Sequence, residues 1–149
     1  MGRLFFDTSA LVKRYHEEDG TGTVDTLMKD DSTEVAITSL AVIETVSAFR
    51  RKRNRDEIDE DAVDRLLSAF FDEALADFAI LPMDESLTAF SFDLVLEDDL
   101  RTLDSLQLSA ALAIATADST LTFVCADSDL VSVADSRGLA TVNPVEDSA

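Results

Sequence analysis

The sequence predicts a three-layer α/β sandwich, in which a central parallel sheet of four or five strands carries helices on both faces. Short apolar segments alternate with longer amphipathic ones along the whole chain, which is typical of parallel α/β folds. The first apolar segment, residues 4–6, shows no polar alternation, which indicates a strand buried on both faces. The length of 149 residues and the hydrophobic content of 46% suit one domain with a full core. We therefore expect a single domain over residues 1–149.

Each element follows from a local pattern. Short apolar runs predict strands at residues 4–6, 34–38, 78–82, 121–125 and 139–142. Apolar residues at helical spacing predict helices at residues 10–15, 23–29, 40–53, 59–77, 84–95, 106–117 and 130–136. Hydroxyl side chains precede two of these helices, so we expect Thr8 or Ser9 to cap the first and Ser39 to cap the third. Helical spacing also predicts that most of Phe70, Phe71, Phe90 and Phe92 lie in the core; lining a protein-binding groove is the alternative.

Four carboxylates stand out by their position. Asp7 follows the first strand and Asp127 follows the fourth, and right-handed crossovers bring the carboxyl ends of parallel strands to one edge. Glu44 lies in an otherwise apolar part of its helix, and Asp104 lies at the head of an almost uncharged helix. Carboxylates in such places are costly unless they are paired or bind a cation, and few basic residues lie near them in sequence.

A divalent cation resolves the mutual repulsion of carboxylates that meet on one edge. All-oxygen ligands select hard ions, so Mg²⁺ or Mn²⁺ is expected. The single histidine, His16, excludes a histidine-rich metal site, and the single cysteine, Cys125, excludes a multi-cysteine zinc site.

Each carboxylate also has a purely structural interpretation. Asp7 and Asp127 are suited to cap the helices that follow them. Asp104 suits the positive end of a helix dipole, and Glu44 fits a polar stripe on its helix. For Asp129 we expect a surface position, or a contact with a ligand residue rather than with the ion.

The chain is strongly acidic, with 31 acidic and 12 basic residues and a net charge of −19. Such a surface repels nucleic acid at low salt. The acidic residues are scattered, however, which favours adaptation to a salt-rich cytoplasm, where charges are screened. The composition is similar to that of extreme halophiles, and we expect an origin in a halophilic archaeon. No signal peptide or membrane-spanning run is visible, so we expect a cytoplasmic protein without a membrane partner.

One helix ends in a basic cluster, which is unusual in so acidic a chain. Its members are Arg50, Arg51, Lys52, Arg53 and Arg55. One interpretation is a solvated helix end that is stabilised by its dipole. The other is a patch that contacts nucleic-acid phosphates, about 10 Å along the helix from the predicted carboxylate site.

The sequence resembles the PIN-domain nucleases, especially the VapC-type toxins of bacterial and archaeal toxin–antitoxin pairs. Residues 6–13, which include Asp7, look like the first motif of that family. Glu44 within residues 38–44, Asp104 within 103–111 and Asp127 within 123–130 match the next three motifs in order. The sequence departs from the family at Cys125, where Thr or Ser is more common, and at Gln107, where His or another polar residue is frequent.

The resemblance implies a PIN-like fold and a Mg²⁺-dependent endoribonuclease that acts as the toxin of a type II system. Asp7, Glu44, Asp104 and Asp127 would be catalytic and hold one or two Mg²⁺ ions, and Ser9 would position Asp7 through a hydrogen bond. The implied partners are an RNA substrate, a cognate antitoxin and a second copy of the chain. The basic cluster would then have a third interpretation, docking of an acidic antitoxin segment.

Two other functions remain open at the sequence level. One is a PIN nuclease for RNA processing, or for DNA, outside any toxin pair. The other is a receiver-like signalling domain, which also carries an acidic pocket on a parallel sheet. Receiver domains normally have a lysine at the end of the last strand, whereas no lysine follows Lys52 here.

Overall fold

A five-stranded sheet, parallel throughout, forms the centre of the protein in a computed structural model that describes residues 2–147. Its strands are β1 Gly2–Phe6, β2 Thr33–Thr38, β3 Phe78–Leu81, β4 Leu121–Val124 and β5 Ala140–Val142. They are arranged in the order β3-β2-β1-β4-β5, and each neighbouring pair is parallel. The predicted parallel sheet is thus confirmed.

Helices connect the strands, as the alternating pattern predicts. They are α1 Thr8–Leu11, α2 Thr21–Met28, α3 Ser39–Asn54, α4 Glu60–Asp77, α5 Glu85–Asp98, α6 Thr102–Ala117 and α7 Ser128–Ser136. The first helix is shorter than expected, because a 3-10 turn, Val12–Arg14, replaces its second half. None of the helices within residues 2–147 is long and apolar enough to cross a membrane.

Two hydrophobic cores lie on opposite faces of the sheet. Leu4 and Phe6 of β1 pack in a core with side chains from α1, α2, α3 and α4. Phe5, between them in sequence, points to the other face and packs with side chains from α5, α6 and α7. Successive side chains of a strand point to opposite faces of the sheet, so a strand that is apolar throughout contributes side chains to both cores. The result is the predicted three-layer sandwich.

Three of the four phenylalanines that were expected in the core do pack there. Phe70 is fully buried, and Phe71 and Phe90 pack against the two cores. Phe92 is 59% exposed on α5, so it is the one of these four that lies outside the core.

The register of the strands determines which residues lie at the carboxyl edge of the sheet. Phe6 of β1 pairs with Val124 of β4, and both strands end there. The Asp7 N–H donates to the Val124 carbonyl oxygen at 3.0 Å, which fixes the chain just beyond the strand ends. On the other side of β1, β2 leads directly into α3. The carboxyl ends of the three central strands therefore open onto one crevice.

Candidate active site

A cleft of about 530 Å³ lies at the carboxyl edge of the sheet. It is bounded by the ends of β1 and β4, by the first turns of α1 and α6, and by one side of α3. All four carboxylates singled out by the sequence line it, namely Asp7, Glu44, Asp104 and Asp127. Thr8, Ser9, Ser47 and Arg51 add polar groups, and Val12, Leu40, Ile43, Ala48 and Leu103 form its apolar part.

Asp7 is buried at the base of the cleft, with 6% of its surface exposed. Its Oδ2 accepts hydrogen bonds from the Ser9 hydroxyl at 2.6 Å and from the Ser9 N–H at 3.2 Å. Asp7 is therefore the N-cap of α1, which corrects the expectation that Thr8 or Ser9 caps it. Burial raises the pKa of Asp7, and the two Ser9 hydrogen bonds oppose that rise. The helix-cap and cleft interpretations of Asp7 are compatible, because one carboxylate does both.

The chain segment after β4 supports Asp7 from the other side. The Ala126 N–H donates to the Ser9 hydroxyl oxygen at 3.0 Å, so that hydroxyl is held while it donates to Asp7. The Cys125 thiol lies 3.6 Å from Asp7 Oδ2 and accepts from the Asp127 N–H at 3.4 Å. The thiol thus contacts the Asp7 carboxylate and the main chain of Asp127. Burial, and next the charge of Asp7, raise the pKa of the Cys125 thiol.

Glu44 projects into the cleft from the second turn of α3. Its Oε1 accepts from the Thr8 hydroxyl and from the Gln107 side-chain amide, each at 2.9 Å. Gln107 is fully buried, and its Oε1 accepts from the Thr38 hydroxyl at 3.0 Å. Thr38 also caps α3 by accepting from the Ala41 N–H, so the expected cap at the next residue, a serine, is wrong.

Thr8, Thr38 and Gln107 were given no site role by the sequence motifs. Gln107 did carry a signal, since it is the one side-chain amide in the otherwise apolar and hydroxyl-bearing body of α6. A buried amide needs partners for its donors and its acceptor, so such a residue points to a polar network.

Asp104 lies in the first turn of α6 and faces the other three carboxylates across the cleft. Burial and then the charges of Asp7, Asp127 and Glu44 raise the pKa of Asp104 to about 6. The charges of the other three carboxylates therefore act on Asp104.

Asp127 is the N-cap of α7 and lies at the solvent side of the cleft. Its Oδ1 accepts from the N–H groups of Asp129 and Leu130 at 3.0 and 3.3 Å. Asp129 thus contacts Asp127 through its main chain, while its exposed side chain is absent from the cleft lining.

The four carboxylates line the cleft without closing around a point. Within residues 2–147, no three acidic, histidine or cysteine side chains are close enough together to hold a metal ion as they stand. The donor set nevertheless fits Mg²⁺, which commonly takes one or two carboxylates and keeps several water ligands.

The basic cluster of α3 divides between two faces. Arg51 lines the cleft, with its guanidinium donating to the Ser47 hydroxyl at 2.7 Å. Arg50 and Arg53 instead approach Glu60 at 3.0 and 3.6 Å, outside the cleft. Lys52 forms an ion pair with Glu18 at 2.9 Å. Arg55 is exposed and does not line the cleft. Only Arg51 among these five residues belongs to the cleft.

The sequence model of the PIN domain family matches residues 4–135. A search of curated proteins by sequence found no match. Several solved structures share the fold. The toxin VapC20 of Mycobacterium tuberculosis, described as cleaving the sarcin–ricin loop, has a TM-score of 0.67 at 15% identity, over 95% of this chain and 99% of that one.

Two further solved structures have a similar fold. A toxin–antitoxin complex from Klebsiella pneumoniae has a TM-score of 0.62 at 17% identity, over 95% of this chain and 97% of that one. VapBC2 from Rickettsia felis, solved with a DNA fragment from its promoter, has a TM-score of 0.62 at 16% identity, over 95% and 98% of the two chains. At these identities the likeness establishes the fold alone.

Proposed function

The chain belongs to the PIN domain family, and from this premise we propose that it is a Mg²⁺- or Mn²⁺-dependent endoribonuclease, the toxin of a type II toxin–antitoxin pair. One observation carries the proposal: Asp7, Glu44, Asp104 and Asp127 line a single cleft at the carboxyl edge of the sheet. The raised pKa of Asp104, caused by burial and by the other three charges, supports a cation as the partner they lack.

In this proposal the four carboxylates hold the ion and the rest of the cleft holds the substrate. A bound Mg²⁺ supplies an activated water and stabilises charge on the scissile phosphate. Ser9 fixes the rotamer of Asp7, because its hydroxyl is itself fixed by the Ala126 N–H. Arg51 contacts a neighbouring phosphate, as the only cationic side chain in the cleft lining of the described chain.

RNA is the proposed substrate and an antitoxin the proposed partner. The structural similarity to a toxin described as cleaving the sarcin–ricin loop, and to a toxin–antitoxin complex, supports both assignments. At the rim of the cleft, Ile43 is 67% exposed and Leu103 45% exposed. We propose that an antitoxin segment covers these apolar side chains when it blocks the cleft. A homodimer that acts in the cytoplasm belongs to the same proposal.

The test is cleavage of RNA by the purified protein with Mg²⁺ or Mn²⁺, from low to molar salt. We expect cleavage that stops with EDTA and falls by about 100-fold or more in Asp7→Asn, since several kcal/mol of charge stabilisation is lost. Asp93→Asn, which removes an exposed charge on α5, is the matched control and should cleave normally. Equal inactivity of folded wild type and Asp7→Asn at every salt concentration would reject the nuclease assignment.

The toxin assignment has its own test. Expression of the wild-type chain in a bacterial host should arrest growth, whereas Asp7→Asn should not. A chain that cleaves RNA in vitro yet leaves growth unaffected would favour an RNA-processing nuclease outside any toxin pair.

A further inference from the structure

Glu44 is held by a hydrogen-bonded chain that begins at the N-cap of α3 and passes through α6. Thr38 accepts from the Ala41 N–H, so the hydroxyl hydrogen of Thr38 is free to donate elsewhere. It donates to Gln107 Oε1 at 3.0 Å. The cap bond uses one lone pair of the Thr38 oxygen and leaves its hydrogen for the next hydrogen bond along the chain.

The orientation of the Gln107 amide follows from this chemistry. Its oxygen faces the Thr38 hydroxyl hydrogen, and its Nε2 faces Glu44 and Thr8. Nε2 donates to Glu44 Oε1 at 2.9 Å and to the Thr8 hydroxyl oxygen at 3.2 Å. A carboxylate only accepts hydrogen bonds, so the reversed amide would place two acceptors against each other. Every donor of Gln107 has a partner, and the side chain is fully buried.

This arrangement divides the two oxygens of Glu44 between different tasks. Oε1 accepts both the Gln107 amide and the Thr8 hydroxyl. Within residues 2–147, Oε2 accepts no hydrogen bond from the protein, and Glu44 lines the cleft. One oxygen is thus anchored and the other is left to face the cleft.

We propose that Gln107 is a positioning residue that, together with Thr38 and Thr8, holds Glu44 so that its second oxygen binds the divalent cation. This inference rests on the proposed function, because it assigns a role at the same cleft. An amide suits the task, since it donates without carrying a charge that would compete with the cation for Glu44. Hydrogen-bond partners of metal ligands typically contribute 10–100-fold to metal affinity, by the general rule for such contacts.

The test measures Mn²⁺ binding by isothermal titration calorimetry in wild type, Gln107→Leu and Gln107→His. Leucine removes all three hydrogen bonds, so we expect Mn²⁺ affinity to fall about 10–100-fold. Histidine can accept from Thr38 at one ring nitrogen and donate to Glu44 from the other, so Gln107→His should recover most of that loss. If Gln107→His recovers Mn²⁺ affinity, the hydrogen bonds of Gln107 account for its effect, and its filling of the core does not.

Ser109→Ala is the matched control, because Ser109 is also fully buried in α6 but donates only to the Leu106 carbonyl of its own helix. It should bind Mn²⁺ as wild type does. Thr8→Val is the second variant. It removes one of the two hydrogen-bond donors to Glu44 at a partly exposed position. Its Mn²⁺ affinity therefore tests the positioning role even if Gln107→Leu fails to fold.

The outcomes separate this inference from the proposed function. If wild type binds Mn²⁺, and Thr8→Val and any folded Gln107→Leu bind it equally well, the positioning role is wrong while the nuclease proposal stands. If Gln107→Leu and Gln107→His bind equally weakly, the loss comes from packing and the inference is likewise wrong. If wild type itself binds no Mn²⁺, the proposed cation site fails and this inference fails with it.

Discussion

Two carboxylates of the cleft also cap helices, and a local sequence pattern indicates only the cap. Asp7 caps α1 and Asp127 caps α7, and both also line the cleft. The cap is a local property, read from residues two or three positions away. The cleft depends on the register of β1 against β4, more than a hundred residues apart in sequence. Each of these two residues therefore combines a local helix cap with a position in the cleft.

Asp104 gives a prediction about pH. Its folded pKa of about 6 lies above the usual value of about 3.9 for an unfolded chain. Between these values the folded state binds more protons, so the Asp104 contribution to stability falls as pH rises. We expect Asp104→Asn to melt a few degrees above wild type at pH 7.5 in EDTA, and the difference to vanish near pH 4.

Thermal unfolding followed by circular dichroism at both pH values measures this effect. Asp93→Asn is the control for the loss of one negative charge at an exposed site on α5. A melting temperature for Asp104→Asn at or below that of Asp93→Asn at pH 7.5 would show that burial and the neighbouring charges do not destabilise the ionised Asp104.

Cys125 gives a prediction about reactivity. Burial and the neighbouring Asp7 raise the pKa of its thiol, so the thiolate that reacts with electrophiles is scarce at neutral pH. We expect the folded protein to react with Ellman's reagent at least about 100-fold more slowly than the unfolded protein in guanidinium. Similar rates in the two states would mean that the thiol is open to solvent.

At the scale of elements, α3 contributes one carboxylate and the one arginine of the cleft lining within the described residues. The helix begins at the end of β2, so its second turn brings Glu44 to the sheet edge, and Arg51 follows two turns later on the same side. The sequence predicted this helix and grouped its basic end as one patch. Pairing with Glu60 and Glu18 divides that patch, and such long-range ion pairs are not visible in a local charge run.

That division predicts different effects for neighbouring arginines. Arg51→Ala should lower RNA cleavage by about tenfold or more, since a charge-assisted hydrogen bond to phosphate contributes about 1.5–3 kcal/mol. Arg50→Ala removes the same charge from the adjacent residue, which pairs with Glu60 outside the cleft, and should change cleavage little. Cleavage rates at fixed salt concentration compare the two variants. Equal losses would favour a general electrostatic effect of the cluster.

Helix and strand boundaries show the limit of local patterns in the same way. The sequence placed the strands and helices close to their observed positions, because uninterrupted apolar runs and helical spacing are strong signals. It missed the 3-10 turn after α1 and the cap of α3, and it offered Asp7 as the cap of α1 only beside Thr8 and Ser9, because such features depend on one or two hydrogen bonds. It also gave no weight to Gln107, whose partner Glu44 lies 63 positions away in sequence.

At the scale of the whole molecule, the net charge of −19 is the dominant electrostatic property. Self-repulsion among scattered acidic residues destabilises a compact state. The Debye length falls from about 10 Å at 0.1 M salt to about 3 Å at 1 M, which screens that repulsion. We expect the melting temperature to rise when NaCl is increased from 0.1 to 2 M. A melting temperature that falls would instead show that surface ion pairs outweigh the repulsion.

The same two cores that hold the sheet between its helix layers also fix the edge at which the carboxylates meet. Asp7, Glu44, Asp104 and Asp127 come from four separate parts of the sequence, and only the parallel sheet brings them to one cleft. The central claim is that this cleft binds a divalent cation.

Anomalous diffraction from crystals grown with Mn²⁺ tests that claim most directly. We expect an anomalous peak inside the cleft, within about 2.5 Å of oxygens from two or more of the four carboxylates. The same crystals of Asp7→Asn should show a weaker peak or none. The claim would be contradicted if crystals of the wild type at saturating Mn²⁺ showed no anomalous peak in the cleft. Peaks found only elsewhere on the acidic surface would contradict it too.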